Sequence, residues 1–403
     1  MVGPARAALV SGDPLEVAIE APRDLTKFLN NTFEIFGAET LVLDDNIYRV
    51  PSGADLQALP GINADPSRKD HINVTTLGLD GEWNRGRQTF TADLQVDDNR
   101  YERNSNLNDV STLDKVTWLY QVGDVLSGQI GAVYSQALIP FLNVSSYNRD
   151  VYATTSYFGA GRFQLGPRWA IYGGVMESST TLSDVALQSN DTHSKSVEFG
   201  TEYATGIKDS VGAEYRYTDA RYPRGTALND DYREDAGRVV FRHSFSEKTD
   251  IVASGGFLKR DYASEAIHRF SGEIWRVDMN WQTTEKLLFE FGTWQNLQAY
   301  LSAQSDYYVS KGGRIAPKWT ATEKIAVGLS LIYEAQDYVG VTASELSLGT
   351  RRDKLSTAQV TLTYTPFRFL IFDFGYAYEK RDSNEAQFQF NDNVARAKVT
   401  VKY

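Results

Sequence analysis

The chain has 403 residues, no cysteine, a formal net charge of −11, 12% aromatic residues and a negative mean hydropathy. The lack of cysteine excludes disulfide frameworks and thiol chemistry, and the acidic balance argues against nonspecific binding of nucleic acid. No apolar run reaches the roughly 18 residues that a transmembrane helix needs, whereas a transmembrane barrel has this profile because only every second residue of a strand meets lipid.

Residues 1–14 contain no apolar core of the kind a complete export signal requires. Ala5-Arg6-Ala7 fits the tail of an A-x-A cleavage site, and an arbitrary start fits equally well. Leu15, Val17 and Ile19 alternate, and Pro22 to Leu29 suits one or two helical turns. Residues 1–32 therefore read as an N-terminal segment, periplasmic or lumenal, ahead of one long domain at 33–403.

From Phe33 to Tyr403 one theme repeats: segments alternate apolar with polar or small residues, and turn residues separate them. A period of two means a strand with two unlike faces. Strands are expected near 33–50, 68–84, 87–102, 110–122, 126–139, 147–165, 168–180, 192–205, 209–219, 231–246, 249–262, 268–283, 286–299, 306–320, 324–337, 353–366, 369–382 and 388–403. In one of them Val211, Ala213, Tyr215 and Tyr217 oppose Gly212, Glu214, Arg216 and Thr218. In another, Trp275, Val277, Met279 and Trp281 oppose Arg276, Asp278, Asn280 and Gln282.

Links after even-numbered strands are short, such as Asn84-Arg85-Gly86 and Gly166-Pro167. After most odd-numbered strands they are longer and more polar, as in Pro51–Ser67 and Tyr338–Arg352. A soluble sandwich or propeller gives no reason for such parity, and no shared repeat of propeller length is visible. The expected fold is all-β: a transmembrane up-and-down antiparallel barrel of about 18 strands in the outer membrane of a Gram-negative bacterium, with both termini periplasmic.

Aromatics near strand ends suggest interfacial girdles. Trp83, Trp118, Trp169, Trp281, Trp319 and Tyr364 would mark the periplasmic side, and Tyr101, Tyr147, Tyr222, Tyr262 and Tyr338 the outer side. The chain ends on Val399, Val401 and Tyr403 along one face. This ending is similar to the terminal signal read by the barrel-assembly machinery.

A barrel of this size encloses an aqueous channel unless loops plug it, and its inward residues set selectivity. The inward basic set is Arg162, Arg216, Arg238, Arg242, Arg276, Arg314, Lys318, Arg396, Lys398 and Lys402; the acidic patch is Asp80, Glu82, Asp93, Asp97, Glu198 and Glu202. One reading is a basic track for an anionic polymer, since the planar fork of arginine pairs with carboxylates and stays charged. The other is that these charges pair with neighbouring strands, because buried charge needs compensation. Pro51–Ser67 and Tyr338–Arg352 are long enough to fold inward.

Catalysis is not expected. His71, His193, His243 and His268 have no accompanying G-x-S-x-G, H-E-x-x-H or phosphate-loop motif. No metal spacing or cofactor fingerprint occurs either.

The N-terminal third resembles the EpsL family of exopolysaccharide-biosynthesis outer-membrane proteins, grouped with β-barrel porins. The residues that carry the resemblance are Asp44-Asp45-Asn46-Ile47-Tyr48-Arg49-Val50-Pro51, Asp70-His71, Arg87-Gln88 with Asp93, Asn99-Arg100-Tyr101, Leu126-Ser127-Gly128, and Gly166-Pro167-Arg168-Trp169 with Gly173-Gly174. The resemblance implies translocation of an exopolysaccharide, acidic by the basic track, to the cell surface. Its implied partners are outer-membrane lipid, the polysaccharide, and periplasmic polysaccharide-biosynthesis proteins. A small-solute porin or uptake channel is the alternative, and a plugged anchor in a polysaccharide-assembly complex is the third reading.

Overall fold

The computed structural model describes residues 31–59, 61–62, 65–143, 147–225, 230–263, 269–302, 305–339 and 351–403. The N-terminal segment up to residue 30, His268 and most of the 338–352 loop lie outside them.

Eighteen strands form one antiparallel sheet. In chain order they are β1 (Thr32–Asp44), β2 (Asp70–Arg85), β3 (Gln88–Tyr101), β4 (Asp109–Val122), β5 (Leu126–Leu138), β6 (Val151–Gln164), β7 (Trp169–Leu182), β8 (Thr192–Ala204) and β9 (Ser210–Arg221). They continue with β10 (Tyr232–Ser246), β11 (Thr249–Tyr262), β12 (Phe270–Thr284), β13 (Leu287–Ser302), β14 (Ser305–Thr322), β15 (Ile325–Val339), β16 (Arg352–Phe367), β17 (Leu370–Ser383) and β18 (Phe390–Lys402). Each strand pairs with its sequence neighbours, and β1 pairs with β18, so the sheet closes. Closure matters in lipid because an open edge would leave backbone groups without partners.

The short links all lie at one end of the barrel. Gly86 and Gly123 there adopt φ values of 64° and 59°, a conformation that costs glycine little. The longer links lie at the other end, except between β13 and β14, where residues 303–304 alone separate the strands.

The alternation holds around the ring. On β9, Val211 and Tyr215 are exposed, while Gly212 and Arg216, each next along the strand, are buried. The same phase exposes Leu77, Ile130, Phe199, Val239, Ile315, Leu331 and Phe374. This apolar coat sits on the outside, as a lipid-facing wall requires. All six residues expected at the short-turn girdle, Trp83, Trp118, Trp169, Trp281, Trp319 and Tyr364, are exposed there, and Trp118 stacks with Phe90 at 5.8 Å.

The girdle expected at the loop end does not form from the named tyrosines. Tyr262 and Tyr338 lie in the inward phase: Tyr262 pairs with Tyr232, and Tyr338 packs on Tyr308 at 5.2 Å. Tyr101 and Tyr147 pack against an apolar cluster beneath the loops, and Tyr222 leaves the strand to meet Tyr232. The physical reason is that loops close over this end, so inward aromatics find apolar partners there. Charged residues take the outward positions at that level, including the pairs Lys195–Glu177 (3.7 Å) and Lys259–Asp261 (2.5 Å).

The first strand is shorter than expected. It ends at Asp44, where the side chain of Asn46 binds both the N–H and the carbonyl of Val50, and Arg49 takes φ 55°. Asx chemistry of this kind offers the backbone an alternative to the sheet ladder.

A lumen with a loop-narrowed mouth

The loop between β1 and β2 turns into the barrel. Ile47, Tyr48 and Val50 are buried with Leu107, Ile139, Phe141, Tyr152, Leu182 and Leu187 from neighbouring strands and loops. Tyr48 packs on Phe141 at 5.1 Å, and its hydroxyl donates to Asn104 Oδ1 at 3.0 Å. Burial, and secondarily Asp70, pushes the Tyr48 phenol up to about 12.

Arg49 anchors this turn to the wall. Its guanidinium lies 3.1 Å from Asp44 on β1, 3.2 Å from Glu379 on β17 and 2.8 Å from Asp392 on β18. Burial works against the charge, and the three carboxylates more than offset it, holding the Arg49 pKa above its ordinary value. Arg68 reinforces the fold of the loop by donating to the carbonyls of Val50 (2.9 Å) and Pro51 (2.8 Å).

The loop between β5 and β6 crosses the mouth. Arg381, inward on β17, donates from Nη1 to the Leu142 carbonyl at 2.8 Å. Its Nε donates to the Phe388 carbonyl at 2.8 Å, which fixes the head group. β5 and β17 stand six positions apart around the ring, so this bond spans a chord of the opening.

Below the mouth, a column of arginines lines β6, β9, β10 and β11. From the loop end it runs through Arg260–Glu234 (2.6 Å), Arg216–Glu198 (2.5 Å), Arg238–Glu214 (2.6 Å) and Arg162–Glu202 (2.6 Å). Arg242 stands 3.8 Å from Glu202, and Tyr172 donates to Glu214 at 3.1 Å. Five guanidiniums thus meet four carboxylates. A second group lies on β12 to β14, with Arg276–Asp278 at 2.5 Å and Arg314–Glu290 at 2.8 Å.

Other residues of the expected track are scattered. Arg396 lies against Gly375, and Lys402 binds Glu34 at 2.6 Å. Lys398 is the register partner of Asp373, and Lys318 is exposed in the inward phase of β14. The continuous basic track is therefore confined to one wall, and nearly all of it is ion-paired.

The acidic residues also divide. Asp80 and Asp93 face each other across β2 and β3, and Lys115 pairs with Asp93 in register from β4. Asp97 accepts from Thr76 Oγ1 at 2.6 Å, and Glu82 accepts from Asn84 at 2.7 Å. Glu198 and Glu202 do not join this patch; they belong to the arginine column. In a ring of eighteen, β2 and β3 stand opposite β11 and β12, so the acidic wall faces Arg260 on β11 and Arg276 on β12, whereas β9 and β10 face β18 and β1.

The sequence reading missed Arg49, Arg260 and Arg381. Arg49 sits beyond the true end of β1, and Asp44-Asp45-Asn46 was the available sign of a turn. Among the histidines, His71 binds Glu102 (2.8 Å), His193 binds Glu177 (3.1 Å), and His243 binds Asp209 (3.1 Å) beside Phe241 and Phe245. No group of three or more metal-ligating side chains occurs among the described residues.

Closed strands, an apolar coat and a charged interior define a porin-like membrane β-barrel. A family model described as "Putative beta-barrel porin 2" matches residues 214–403. Among solved structures, OccK9 (OpdG) of Pseudomonas aeruginosa is similar in fold, with TM-score 0.51 and 10% identity over 93% of this chain and 99% of its own. A BenF-like porin from Pseudomonas fluorescens Pf-5 gives TM-score 0.49 and 11% identity over 93% and 100%. The search of curated protein sequences returned no match.

Proposed function

We propose that this chain is a diffusive channel of the Gram-negative outer membrane for small polar solutes, with a preference for anions. The observation that carries the reading is the arginine column, where five cations meet four carboxylates along one wall of the lumen. A slight excess of positive charge along the path of a small solute favours anions without trapping them. The family match to β-barrel porins agrees with this reading.

A polymer relay fits less well. Its basic residues would have to exchange carboxylates already held at hydrogen-bonding distance for a moving chain, and two loops stand in the mouth. Export of an acidic exopolysaccharide remains the second reading, because the 44–51 segment behind the EpsL resemblance builds that mouth.

Planar-bilayer recording tests both. The expected result is steady conductance with a reversal potential favouring anions, together with flux of small sugar acids into vesicles that added acidic polymer leaves unchanged. Absence of conductance in either polarity overturns the channel reading. Blockade by acidic polymer at low concentration replaces it with the export reading.

A further inference from the structure

The outer wall carries a feature that the lumen does not use. A groove of about 700 Å³ runs across β11 to β17, lined largely by the outward row Met279, Phe291, Ile315, Leu331, Ala358 and Tyr378, which are successive register partners. The outside of a barrel is convex, so a groove needs a floor of small residues. Gly313, Ser356 and Ala358 supply it, and Phe291, Tyr333 and Tyr378 rise around them.

Two lysines crown the groove. Lys311 and Lys354 are the register partners of the same residue, Ala335, from either side. Both are exposed, and they stand two strand spacings apart, about 10 Å. They lie one outward position toward the loop end from Gly313 and Ser356. Lys354 is ten positions along β16 from the girdle residue Tyr364, about 33 Å of strand and about 25 Å of height at barrel tilt. That places both ammonium groups at the loop-side membrane interface.

The absence of a close ion pair separates them from the rest of that level. The outward cations Lys195, Arg233 and Lys259 each have a carboxylate within 4 Å: Glu177, Asp219 and Asp261. Lys311 and Lys354 have none within that distance among the described residues; Asp382 is the register partner of Lys354 on β17, but it is held by Lys380 at 2.8 Å. Lys380 and Arg352 beside them are balanced by Asp382 and Asp337.

We infer that the groove and its two lysines form a binding site for a phosphorylated lipid of the loop-side leaflet. One acyl chain occupies the groove over Gly313 and Ala358, and the head-group phosphates lie between Lys311 and Lys354. The site is on the outer wall and stands or falls independently of what passes through the lumen.

The test uses the purified full-length barrel in neutral detergent, with bisphosphorylated lipid A as the probe and phosphatidylcholine as the uncharged control, read by native mass spectrometry. The wild type is expected to retain lipid A as one dominant adduct and to lose phosphatidylcholine. The double variant K311Q/K354Q should weaken lipid A binding roughly thirtyfold, on the order of fivefold per lysine. Ala358→Phe, which fills the groove and keeps both charges, should weaken it as well. Heat-modifiable gel mobility verifies that each variant is folded. Equal retention of lipid A by wild type and both variants overturns the site. So does displacement of the lipid by inorganic phosphate alone, which would mean that the groove contributes nothing. Dissociation of an oligomer by Ala358→Phe with lipid retention unchanged would assign the groove to a second copy of the chain and overturn the proposal too.

Discussion

Replacing Arg49 by alanine is the sharpest perturbation of the mouth. The guanidinium contacts three carboxylates at 2.8–3.2 Å, and the side chains of Asp44, Glu379 and Asp392 are 8%, 7% and 1% exposed. Removing the cation leaves like charges buried together, and breaking a buried ion pair in this way costs about 3–5 kcal/mol. The β1–β2 loop can relieve that cost by leaving the wall and admitting water. A bias of about 3 kcal/mol changes the docked-to-undocked ratio by more than a hundredfold, since about 1.4 kcal/mol is tenfold. Single-channel recording should then find a larger mean conductance with frequent transitions. Selectivity should move toward cations as the three carboxylates become hydrated. Arg49→Lys, which keeps the charge and loses the fork, should fall between. Unchanged conductance and unchanged selectivity in Arg49→Ala would refute the idea that this ion cluster holds the loop in the mouth.

Arg381→Ala should release the Leu142 carbonyl and raise conductance less than Arg49→Ala does, because one hydrogen bond to a charged donor is worth about 1.5–3 kcal/mol; an effect larger than that of Arg49→Ala would reverse their assigned order. Arg242→Gln removes the arginine farthest from its carboxylate, so the reversal potential should shift toward cations, while Glu202→Gln should shift it toward anions. Leu331→Arg places a charge on the lipid face and should cost about 2–4 kcal/mol in urea unfolding from vesicles, whereas its inward neighbour Ser330→Arg should cost far less. For Tyr48, burial favours the neutral phenol, so its contribution to loop docking is complete below pH 10 and is lost as pH rises through about 12. Tyrosinate absorbance should therefore gain one late-titrating residue relative to Tyr48→Phe; identical titration curves would contradict the packing described.

The strands were legible because lipid imposes a strict rule on every second side chain. Val211 to Thr218 could be assigned a face from sequence alone, and β11 was placed at its observed bounds, 249–262. The interior follows no comparable rule. The phase of β8 says that Glu198 and Glu202 point inward, but only the register with β9 and the curvature of the wall bring Arg216 and Arg162 to them. Tyr262 and Tyr338 look like girdle residues by their place near strand ends. Their phase, together with the loops above them, makes them interior packing instead. Arg49 was the hardest to find, because its partners Glu379 and Asp392 lie more than three hundred residues away and meet it only when the ring closes.

That closure depends on the last residues of the chain. Ile35 donates to the Tyr403 carbonyl at 3.0 Å, and Tyr403 donates back to Ile35 at 2.8 Å, while β1 and β18 run in register from Phe36 to Asp44. A copy missing its final strand would present two unpaired edges, on β1 and β17, to the bilayer. It would also lack Asp392, one of the three acids that receive Arg49. The seam therefore couples completion of the cylinder to setting of the entrance, so a nascent barrel acquires its narrowed opening only in the step that removes its last free edge.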